Sequence, residues 1–541
     1  MPQEFARLAE RIVDAILDAD PVRAAEAGDH RCDGRLPDLS PDGVAARTAM
    51  LRDAARALSE VDVAGLGAED QVDHAVLLGL VERDLFELTE VRKHEWNPLA
   101  HNPGPLLHAL VAREHAPVEQ RLSSLRERLA ALPDALAVAR GVLRDCPRIH
   151  LQTAVGQFAG AARLVRTEVP GLVAQAPALA GSVNPAAEAA ARALDGFGEW
   201  LRARSAEGGG RDPRLGRRLW EARLWHTLDT ELSAAEVAAR AEASVAETSE
   251  RLREAAAELL GAPASEDTAR AALDRLAGDR PDDKSIMDAA HRALAGTTAF
   301  VRDHDLVSLV DDPCVIQEMP EFARGVAVAY CDAPGMLETA EMPTFFCISP
   351  TPADWPAERV TSFYREYNHA MVRDLTVHEA MPGHFLQLAH SRRFRGSTRA
   401  RALGFSDPFV EGWAVYAEEL MADAGYGGLP VRIQQLKMRL RMSINALLDQ
   451  LVHAEGIDEA EAMALMTGRG FQEEGEAAGK WRRALLTSTQ LSTYFVGYLE
   501  VAEVARARPA GTPVRGWHDE MLAHGSPAPR HLRALLTGAP S

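Results

Sequence analysis

The chain has 541 residues, of which 47% are hydrophobic and 26% charged, a balance typical of a globular protein with ample core. The formal net charge is −20, because 79 acidic residues outnumber 59 basic residues. A strongly negative protein is repelled by phosphate backbones and by anionic lipid, so the composition argues against a nucleic acid or a membrane surface as the partner.

Cysteine usage and the first residues predict the cellular location. The cysteines lie at five scattered positions without paired spacing, Cys32, Cys146, Cys314, Cys331 and Cys347. They predict reduced thiols rather than a disulfide framework or a cysteine-based zinc site. Residues 1–20 form an amphipathic pattern with acidic residues throughout, unlike the basic start and apolar middle of a signal peptide. We therefore expect a cytoplasmic protein.

Residues 1–300 are predicted to form an N-terminal helical region, because the segment is rich in alanine, leucine and arginine. Pro133 is expected to open a new helical segment after four leucines at helical spacing, Leu122, Leu125, Leu129 and Leu132. The turn-rich stretch EGGGRDP at residues 207–213 is the strongest candidate for a linker or loop.

A long helix is predicted to follow residue 233. Ser233 and Glu236 have the spacing of a capping box, in which each side chain accepts a hydrogen bond from the backbone of the other residue. Gly261 and then Pro263 are expected to end the helix after about seven turns.

Residues 301–355 differ in composition from the rest of the chain. Three short segments, CVIQEM, GVAVAYCDA and TFFCIS, are rich in β-branched or aromatic residues and are bounded by Pro, Gly and Asp. They predict a small sheet of three strands. Residues 356–541 return to helical patterns. We expect a mainly α protein with a small β-sheet, built as one continuous compact unit.

The segment TVHEAMPGHFLQ at residues 376–387 is close to the His-Glu-x-x-His pattern of zinc proteases, but its second histidine arrives two residues late. A single helix is predicted to place His378 on an inward face, at the end of an apolar stripe formed by Val360, Tyr364, Tyr367, Met371 and Leu375. His369 and His390 lie nearby in sequence and are not expected to be ligands.

In a regular helix His384 would lie about 120° away from His378, and the two imidazoles could not bind one ion. Pro382 cannot donate a backbone hydrogen bond, and Gly383 adds backbone freedom. Together they would allow a bend that returns His384 to His378. The alternative is that Pro-Gly simply stops the helix.

A second helix is predicted for SDPFVEGWAVYAEEL, with Ser406 or Asp407 as its cap. Glu411 and Glu418 are seven residues apart and share a face that is otherwise Ala, Val and Trp. A buried carboxylate needs a partner, and a cation on the two histidines would supply one. His378, His384 and Glu411 are therefore predicted to hold one Zn²⁺ per chain, with Glu418 fixing an imidazole from behind. For Glu418 and Glu419 the alternative is surface salt bridging.

The segments YREYNHAMVRDLTVHEAMPGHFLQ, EGWAVYAEEL and TYFVGYLE together resemble the bacterial domain-of-unknown-function family 885, and the resemblance extends over nearly the whole chain. Members carry His-Glu-x-x-Pro-Gly-His followed by Glu-Gly-Trp-Ala-x-Tyr-x-Glu. The family is grouped with gluzincin metallopeptidases, so the resemblance implies a large helical array around a metal cleft. By the same resemblance the zinc ligands are His378, His384 and Glu411, and Glu379 is the general base.

Two departures from the family pattern concern the substrate end of the site. Phe385 stands where members often have a second histidine after Pro-Gly-His. The segment LTSTQ replaces a Pro-Gly-Gln stretch and keeps only Gln490, which we retain as a candidate for binding substrate.

The sequence predicts a zinc-dependent hydrolase that cleaves a peptide or related amide bond in a small substrate. Tyr494 and Tyr498 are four residues apart, and either could donate a hydrogen bond to the oxyanion of the reaction. Arg482 and Arg483 could grip a substrate carboxylate. The alternatives are that the tyrosines are core aromatics and that the arginines are solvated.

Two other functions use the same residues. Two histidines and one carboxylate also form the facial triad of non-heme iron oxygenases, although Glu379 favours hydrolysis, since an oxygenase has no evident need of that base. A non-catalytic binding protein on the same fold is the second alternative. The sequence leaves the oligomeric state open.

Overall fold

The computed structural model describes residues 2–319, 328–352 and 355–538. The chain is mainly α-helical with one small sheet, which confirms the predicted fold class. Two compact units are present, and each is built from several stretches of chain. The first unit contains Met1–Pro213, Pro334–Met342 and Arg395–Gly404; the second contains Arg214–Ala333, Pro343–Phe394 and Phe405–Ser541. None of the described helices is long and apolar enough to cross a membrane.

Most of the first unit is formed by ten helices that precede residue 213. Its core includes the fully buried side chains of Ile16, Leu17 and Leu51. The helices are α1 Pro2–Ala19, α2 Pro21–Ala27, α3 Pro41–Ser59, α4 Ala68–Phe86, α5 Lys93–Trp96, α6 Gly104–Ala112, α7 Val118–Val142, α8 Arg148–Thr167, α9 Val169–Val173 and α10 Ala180–Glu207.

The second unit carries the sheet and most of the remaining helices. Residues 400–403 form a short helix, α18, that belongs to the first unit. In chain order, with α18 of the first unit included, these helices are α11 Arg217–Leu228, α12 Ala234–Leu260, α13 Glu266–Gly278, α14 Ile286–Asp303, α15 Ala357–Glu366, α16 His369–Glu379, α17 His384–Ser391, α18 Ala400–Leu403, α19 Asp407–Asp423, α20 Gly428–Gln450, α21 Glu459–Ala464, α22 Glu474–Leu486, α23 Gln490–Arg506, α24 Val514–Leu522 and α25 Pro529–Thr537.

The sheet has three strands, as predicted: β1 Cys314–Glu318, β2 Ala329–Asp332 and β3 Thr344–Ile348. The central strand β3 pairs in parallel with β1 and antiparallel with β2. Residues 325–327, the start of the second predicted strand, lie outside the described residues. Phe346 and Ile348 of β3 are fully buried and anchor the sheet in the core of the second unit.

The long helix predicted after residue 233 is confirmed as α12. Ser233 and Glu236 form the reciprocal capping box, and Gly261 ends the helix in the left-handed conformation that favours glycine. Helix α12 packs along α20, where the hydroxyl groups of Ser244 and Ser443 are 2.9 Å apart. Residues 214–300 therefore belong to the second unit. The boundary between the two compact units lies inside the predicted region 1–300, at the end of the turn-rich stretch 207–213.

Two details of the predicted helices are wrong. Pro133 does not open a new segment but lies inside α7, where the buried leucines on both sides keep one continuous helix packed against the core. The apolar stripe of residues 360–378 is split between α15 and α16. Asn368 causes the break, because its side chain accepts hydrogen bonds from the backbone N–H groups of Ala370 and Met371 and so begins a new helix.

Helices α19 and α23 cross at a distance that only glycine permits. A Cβ atom added to Gly412 would lie 2.3 Å from the backbone of Gly497, and one added to Gly497 would lie 2.0 Å from the carbonyl oxygen of Pro408. Contacts this short are sterically forbidden, so the two helices meet backbone to backbone. This crossing holds the helix that carries Glu411 against the helix that carries Tyr494.

We expect Gly497→Ala to separate α19 from α23 and to lower the free energy of unfolding by about 1–3 kcal/mol, as overpacking of a tight core does. Denaturant unfolding of the purified variant measures this change. The control is Gly516→Ala in α24, where an added Cβ meets no atom within 4 Å. The control should be neutral or stabilised by up to about 1 kcal/mol, since alanine favours helix over glycine. Equal stabilities of the two variants would contradict the tight crossing.

Candidate metal centre

The backbone between the two histidines of HEAMPGH is bent. Helix α16 ends at Glu379, and α17 begins at His384. The N–H group of Gly383 donates a 2.9 Å hydrogen bond to the carbonyl oxygen of Val377. A Cβ atom at Gly383 would lie 1.9 Å from the carbonyl oxygen of His378. The chain therefore folds back onto the end of α16 so closely that residue 383 must be glycine.

The bend is fixed to the next helix by a tryptophan. The indole Nε1 of Trp413 on α19 donates a 2.8 Å hydrogen bond to the carbonyl oxygen of Pro382, and Trp413 is fully buried. Ser406 caps α19 by accepting a hydrogen bond from the backbone N–H of Phe409, as one of the two predicted caps. Glu411 lies on the first turns of this helix and is thus placed opposite the bend.

The structure brings His378, His384 and Glu411 together. The Nε2 atoms of both histidines are 3.5 Å from Oε2 of Glu411. The two imidazole rings are nearly perpendicular, at 86°, with centroids 4.7 Å apart. Both histidines are buried, with 8% of their surface exposed. Three ligand atoms of the types that zinc prefers therefore converge on one point of the interior.

These spacings fit a tetrahedral metal ion. Two ligand atoms at about 2.0–2.2 Å from such an ion are about 3.3–3.6 Å apart, which matches the two distances of 3.5 Å. Oε2 of Glu411 is buried and has no hydrogen-bond partner among the described residues. A buried carboxylate oxygen without a donor is costly, and a cation bound at this point would remove that cost.

Glu418 supports His378 from the side away from Glu411. Its Oε1 accepts a 2.6 Å hydrogen bond from Nδ1 of His378, and Glu418 is 2% exposed. This contact fixes the tautomer of His378 with Nε2 free to bind a metal, as in other carboxylate–histidine–metal groups. Burial alone would lower the pKa of His378, but the neighbouring Glu411 and Glu418 carboxylates raise that pKa well above its ordinary value. The negative charge of these two carboxylates would also attract a metal cation.

Another carboxyl group lies behind the centre. Asp374, one turn before His378 on α16, is 1% exposed, and neither of its side-chain oxygens has a hydrogen-bond partner among the described residues. Burial, together with the charge of Glu418, raises the pKa of Asp374 well above its ordinary value. Both effects favour the uncharged form of the Asp374 carboxyl group.

A cavity of about 1410 Å³, open to solvent, adjoins the centre within the second unit. His378, Glu379, Arg483 and Tyr494 line it, whereas His384 and Glu411 do not. Its apolar wall comes from α15, α16 and α20 and from the chain on either side of α15, and includes Trp355, Phe363, Tyr367, Met371, Met438 and Met442. The cavity therefore combines an apolar wall with a polar side at Glu379.

The structure separates the remaining predicted site residues. Gln490 is not part of the cavity wall, but its Nε2 is 3.3 Å from the hydroxyl of Tyr494 and its Oε1 accepts a 2.6 Å hydrogen bond from Arg483. Arg482 is exposed and does not line the cavity. Tyr498 is buried outside the cavity wall, where its hydroxyl donates a 2.6 Å hydrogen bond to Glu419.

Sequence reasoning missed several polar residues of the cavity. Lys480 and Arg441 line it, and Asn445 lines it with a buried side-chain oxygen that has no hydrogen-bond partner among the described residues. The spacing of Lys480 and Arg483, three residues apart, is a helical signal that could have indicated Lys480 in place of Arg482. No comparable signal marked Arg441 and Asn445, because they lie on α20, which carries no recognised motif.

A second group of residues that could hold a metal ion lies in the first unit: His30, Asp33 and His115. Nδ1 of His30 and Nε2 of His115 are each 3.0 Å from Oδ2 of Asp33, and the imidazole rings stack 3.8 Å apart. Nε2 of His30 is 2.8 Å from Oε2 of Glu338. Burial alone would lower the pKa of His30, but the two carboxylates raise it to about 9. Hydrogen bonds from a protonated imidazole account for this group without an ion.

Comparison with known proteins places the chain in a family. The profile of the family described as "Bacterial protein of unknown function (DUF885)" matches residues 21–536. The chain belongs to the DUF885 family. This confirms the resemblance drawn from HEAMPGH and EGWAVYAEEL. No curated protein matches the chain.

Two solved structures share the fold of this DUF885 member over almost its whole length. A candidate lipoprotein of unknown function from Shewanella oneidensis is 25% identical, covers 98% of this chain and 99% of its own, and has a TM-score of 0.82. A candidate lipoprotein from Colwellia psychrerythraea is 16% identical, covers 99% of both chains, and has a TM-score of 0.78.

An M32 carboxypeptidase from Deinococcus radiodurans R1 is also similar over 91% of this chain and 90% of its own, at 13% identity. Its TM-score of 0.30 is too low to indicate a shared fold. The gluzincin-like architecture implied by the family resemblance therefore stays a prediction.

The predicted cytoplasmic location is wrong. The two solved structures with TM-scores of 0.82 and 0.78 are of candidate lipoproteins, which points to a membrane-anchored or secreted protein. The prediction failed because unpaired cysteines and an amphipathic start are compatible with an exported protein as well as with a cytoplasmic one. The five cysteines are free in the structure, and free cysteines without paired spacing do not by themselves exclude export.

We expect the purified protein to bind one Zn²⁺ with an affinity that Glu418→Gln weakens by roughly 10- to 100-fold, because loss of the carboxylate behind His378 releases the imidazole. Competition with a zinc-chelating dye measures the affinity. Glu419→Gln is the matched control, since Glu419 is the adjacent residue and pairs with Arg439 and Tyr498 instead. Wild-type zinc affinity in the Glu418 variant would contradict the role of Glu418.

Proposed function

We propose that the protein is a zinc-dependent hydrolase that cleaves a peptide or related amide bond in a small substrate. The observation that carries this proposal is the 3.5 Å convergence of His378, His384 and Glu411 at the edge of a cavity that Glu379 also lines. Two histidines and one carboxylate leave a coordination position of a tetrahedral zinc for water or substrate.

Glu379 is the proposed general base. It follows His378 directly, it is 8% exposed, and it lines the cavity beside the candidate ligands. A bound zinc ion would lower the pKa of a water molecule and polarise the carbonyl group of the substrate. The Glu379 carboxylate would take the proton of the attacking water and then pass it to the nitrogen atom that leaves. Hydrolysis requires a general base at this position and an iron-dependent oxygenation does not, so the presence of Glu379 favours hydrolysis.

Tyr494 is the proposed donor to the oxyanion, because its own hydrogen is not committed. The phenol oxygen of Tyr494 accepts hydrogen bonds from Arg483 at 3.1 Å and from Gln490 at 3.3 Å. With both contacts as donors to the oxygen, the O–H of Tyr494 is left to point into the cavity. Tyr498 instead commits its hydrogen to Glu419, which argues against a catalytic role for Tyr498.

The lining of the cavity supports a short substrate. Glu379 and the candidate ligand His378 line this recessed cavity, which suits a few residues rather than a folded protein. The apolar wall formed by aromatic residues and methionines would bury the substrate side chain next to the bond that is cleaved.

Glu379→Gln tests the proposed chemistry. We expect this variant to bind zinc like the wild type and to lose about 10²- to 10⁴-fold in kcat on any peptide or amide that the wild type cleaves, because glutamine cannot accept the proton. Metal analysis of protein purified without added metal accompanies the assay. Iron content together with oxygen-dependent turnover, or full activity of the variant, would contradict the proposal.

The choice between the tyrosines has its own test. We expect Tyr494→Phe to lower kcat by about 10²- to 10³-fold, as the loss of one oxyanion donor does, with a small effect on KM. Tyr498→Phe is the control and should change stability more than kcat, since it breaks the hydrogen bond to Glu419. The assignment fails if the Tyr498 variant shows the larger loss of kcat.

A further inference from the structure

One wall of the cavity carries two cations on the same face of α22. Lys480 and Arg483 are three residues apart, so their side chains project from one side of the helix, and both line the cavity. Only 5% of Lys480 is exposed. A lysine is almost never buried to this extent unless its ammonium group is paired.

The nearby carboxylates are already occupied by other cations. Glu366 is 2.8 Å from Nζ of Lys437 and 3.7 Å from Arg441. Glu476 pairs closely with Arg441 and also accepts a hydrogen bond from the hydroxyl of Tyr367 at 3.2 Å.

Neither Lys480 nor Arg483 donates a hydrogen bond to a carboxylate among the described residues. Nζ of Lys480 comes no closer than 3.9 Å to a carboxylate oxygen of Glu476 among the described residues, which is too long for a hydrogen bond. Arg483 donates hydrogen bonds to the neutral side chains of Gln490 and Tyr494. Lys437 and Arg441 thus hold Glu366 and Glu476, and Lys480 and Arg483 face the cavity without such a bond.

A buried ammonium group without a hydrogen-bonded carboxylate is unfavourable in the free protein. Burial, together with the charges of Arg441 and Arg483, holds the pKa of Lys480 well below its ordinary value. A buried cation without a partner lowers stability, and a methionine of similar shape at the same position would not have this cost. An anionic group of a ligand in the cavity would compensate both Lys480 and Arg483.

We propose that Lys480 and Arg483 form a subsite for a free carboxylate of the substrate, and this inference rests on the hydrolysis proposed for the same cavity. Arg483 also holds Tyr494, the proposed donor to the carbonyl oxygen of the bond that is cleaved. The carboxylate subsite is therefore separated from the reacting bond only by the side chain of Tyr494. The substrate class that fits is a short peptide or N-acyl amino acid, cleaved next to its C-terminal carboxylate.

Binding measurements test the subsite without relying on turnover. The probes are N-benzoyl dipeptides with aromatic or aliphatic C-terminal residues, each prepared as a free acid and as a C-terminal amide. Isothermal titration calorimetry with the zinc-loaded Glu379→Gln protein gives the affinity of each pair. We expect the acids to bind roughly 10- to 100-fold more tightly than the amides, as a hydrogen-bonded charge pair in a buried site does.

Lys480→Met, added to the same protein, should lower the affinity for the acids by roughly 10- to 100-fold and leave the affinity for the amides unchanged. Arg482→Gln is the matched control, because it removes a positive charge from the same helix at an exposed position outside the cavity. The control should keep the preference for acids. We also expect Lys480→Met to keep or raise the Tm, whereas loss of a lysine with a purely structural role would lower the Tm.

Equal affinities within the pairs, or no binding of any acid at millimolar concentration, would overturn the subsite. A Lys480 variant that loses acids and amides alike with a lower Tm would also overturn it. The hydrolysis proposal fails separately. If the acids bind in a Lys480-dependent way but the wild type cleaves none of them, the subsite stands and the proposed reaction fails. If acids and amides are cleaved and bound equally well, the reaction stands and the subsite fails.

Discussion

The candidate metal centre depends on one buried hydrogen bond, from the indole of Trp413 to the carbonyl oxygen of Pro382. The interruption between α16 and α17 leaves backbone groups without helical partners, and a buried carbonyl without a donor would destabilise the bend. Trp413 supplies that donor from α19, the helix that also carries Glu411. The same contact that satisfies the bend therefore sets the position of Glu411 relative to His384.

Much of the centre was predictable from local chemistry. Pro382 and Gly383 are residues that interrupt a helix, and the structure has an interruption at residues 380–383 that returns His384 to the side of His378. Glu411 and Glu418 were singled out because carboxylates on an apolar helix face need partners, and both contact His378. The sheet was predictable because β-branched and aromatic residues cluster in three short segments.

Other features depend on contacts that the sequence does not encode locally. Pro133 reads as a helix start, yet the packing of buried leucines around it keeps α7 continuous. Asn368 lies between two residues of the apolar stripe, and only the hydrogen bonds that its side chain accepts from Ala370 and Met371 reveal a helix boundary. The choice between Tyr494 and Tyr498 depends on Arg483, Gln490 and Glu419, which lie on different turns or helices.

Because of the glycine crossing of α19 and α23, some groups around the cavity tolerate substitution less well than others. Gly412 and Gly497 join the segment that carries Glu411 to the segment that carries Tyr494 through backbone atoms, so neither can shift without steric overlap. The other walls are formed by side chains of α15, α20 and α22, and a change of these side chains does not act on the crossing itself. Divergence among homologous proteins would therefore alter the preferred substrate through these walls while the reacting groups keep their spacing.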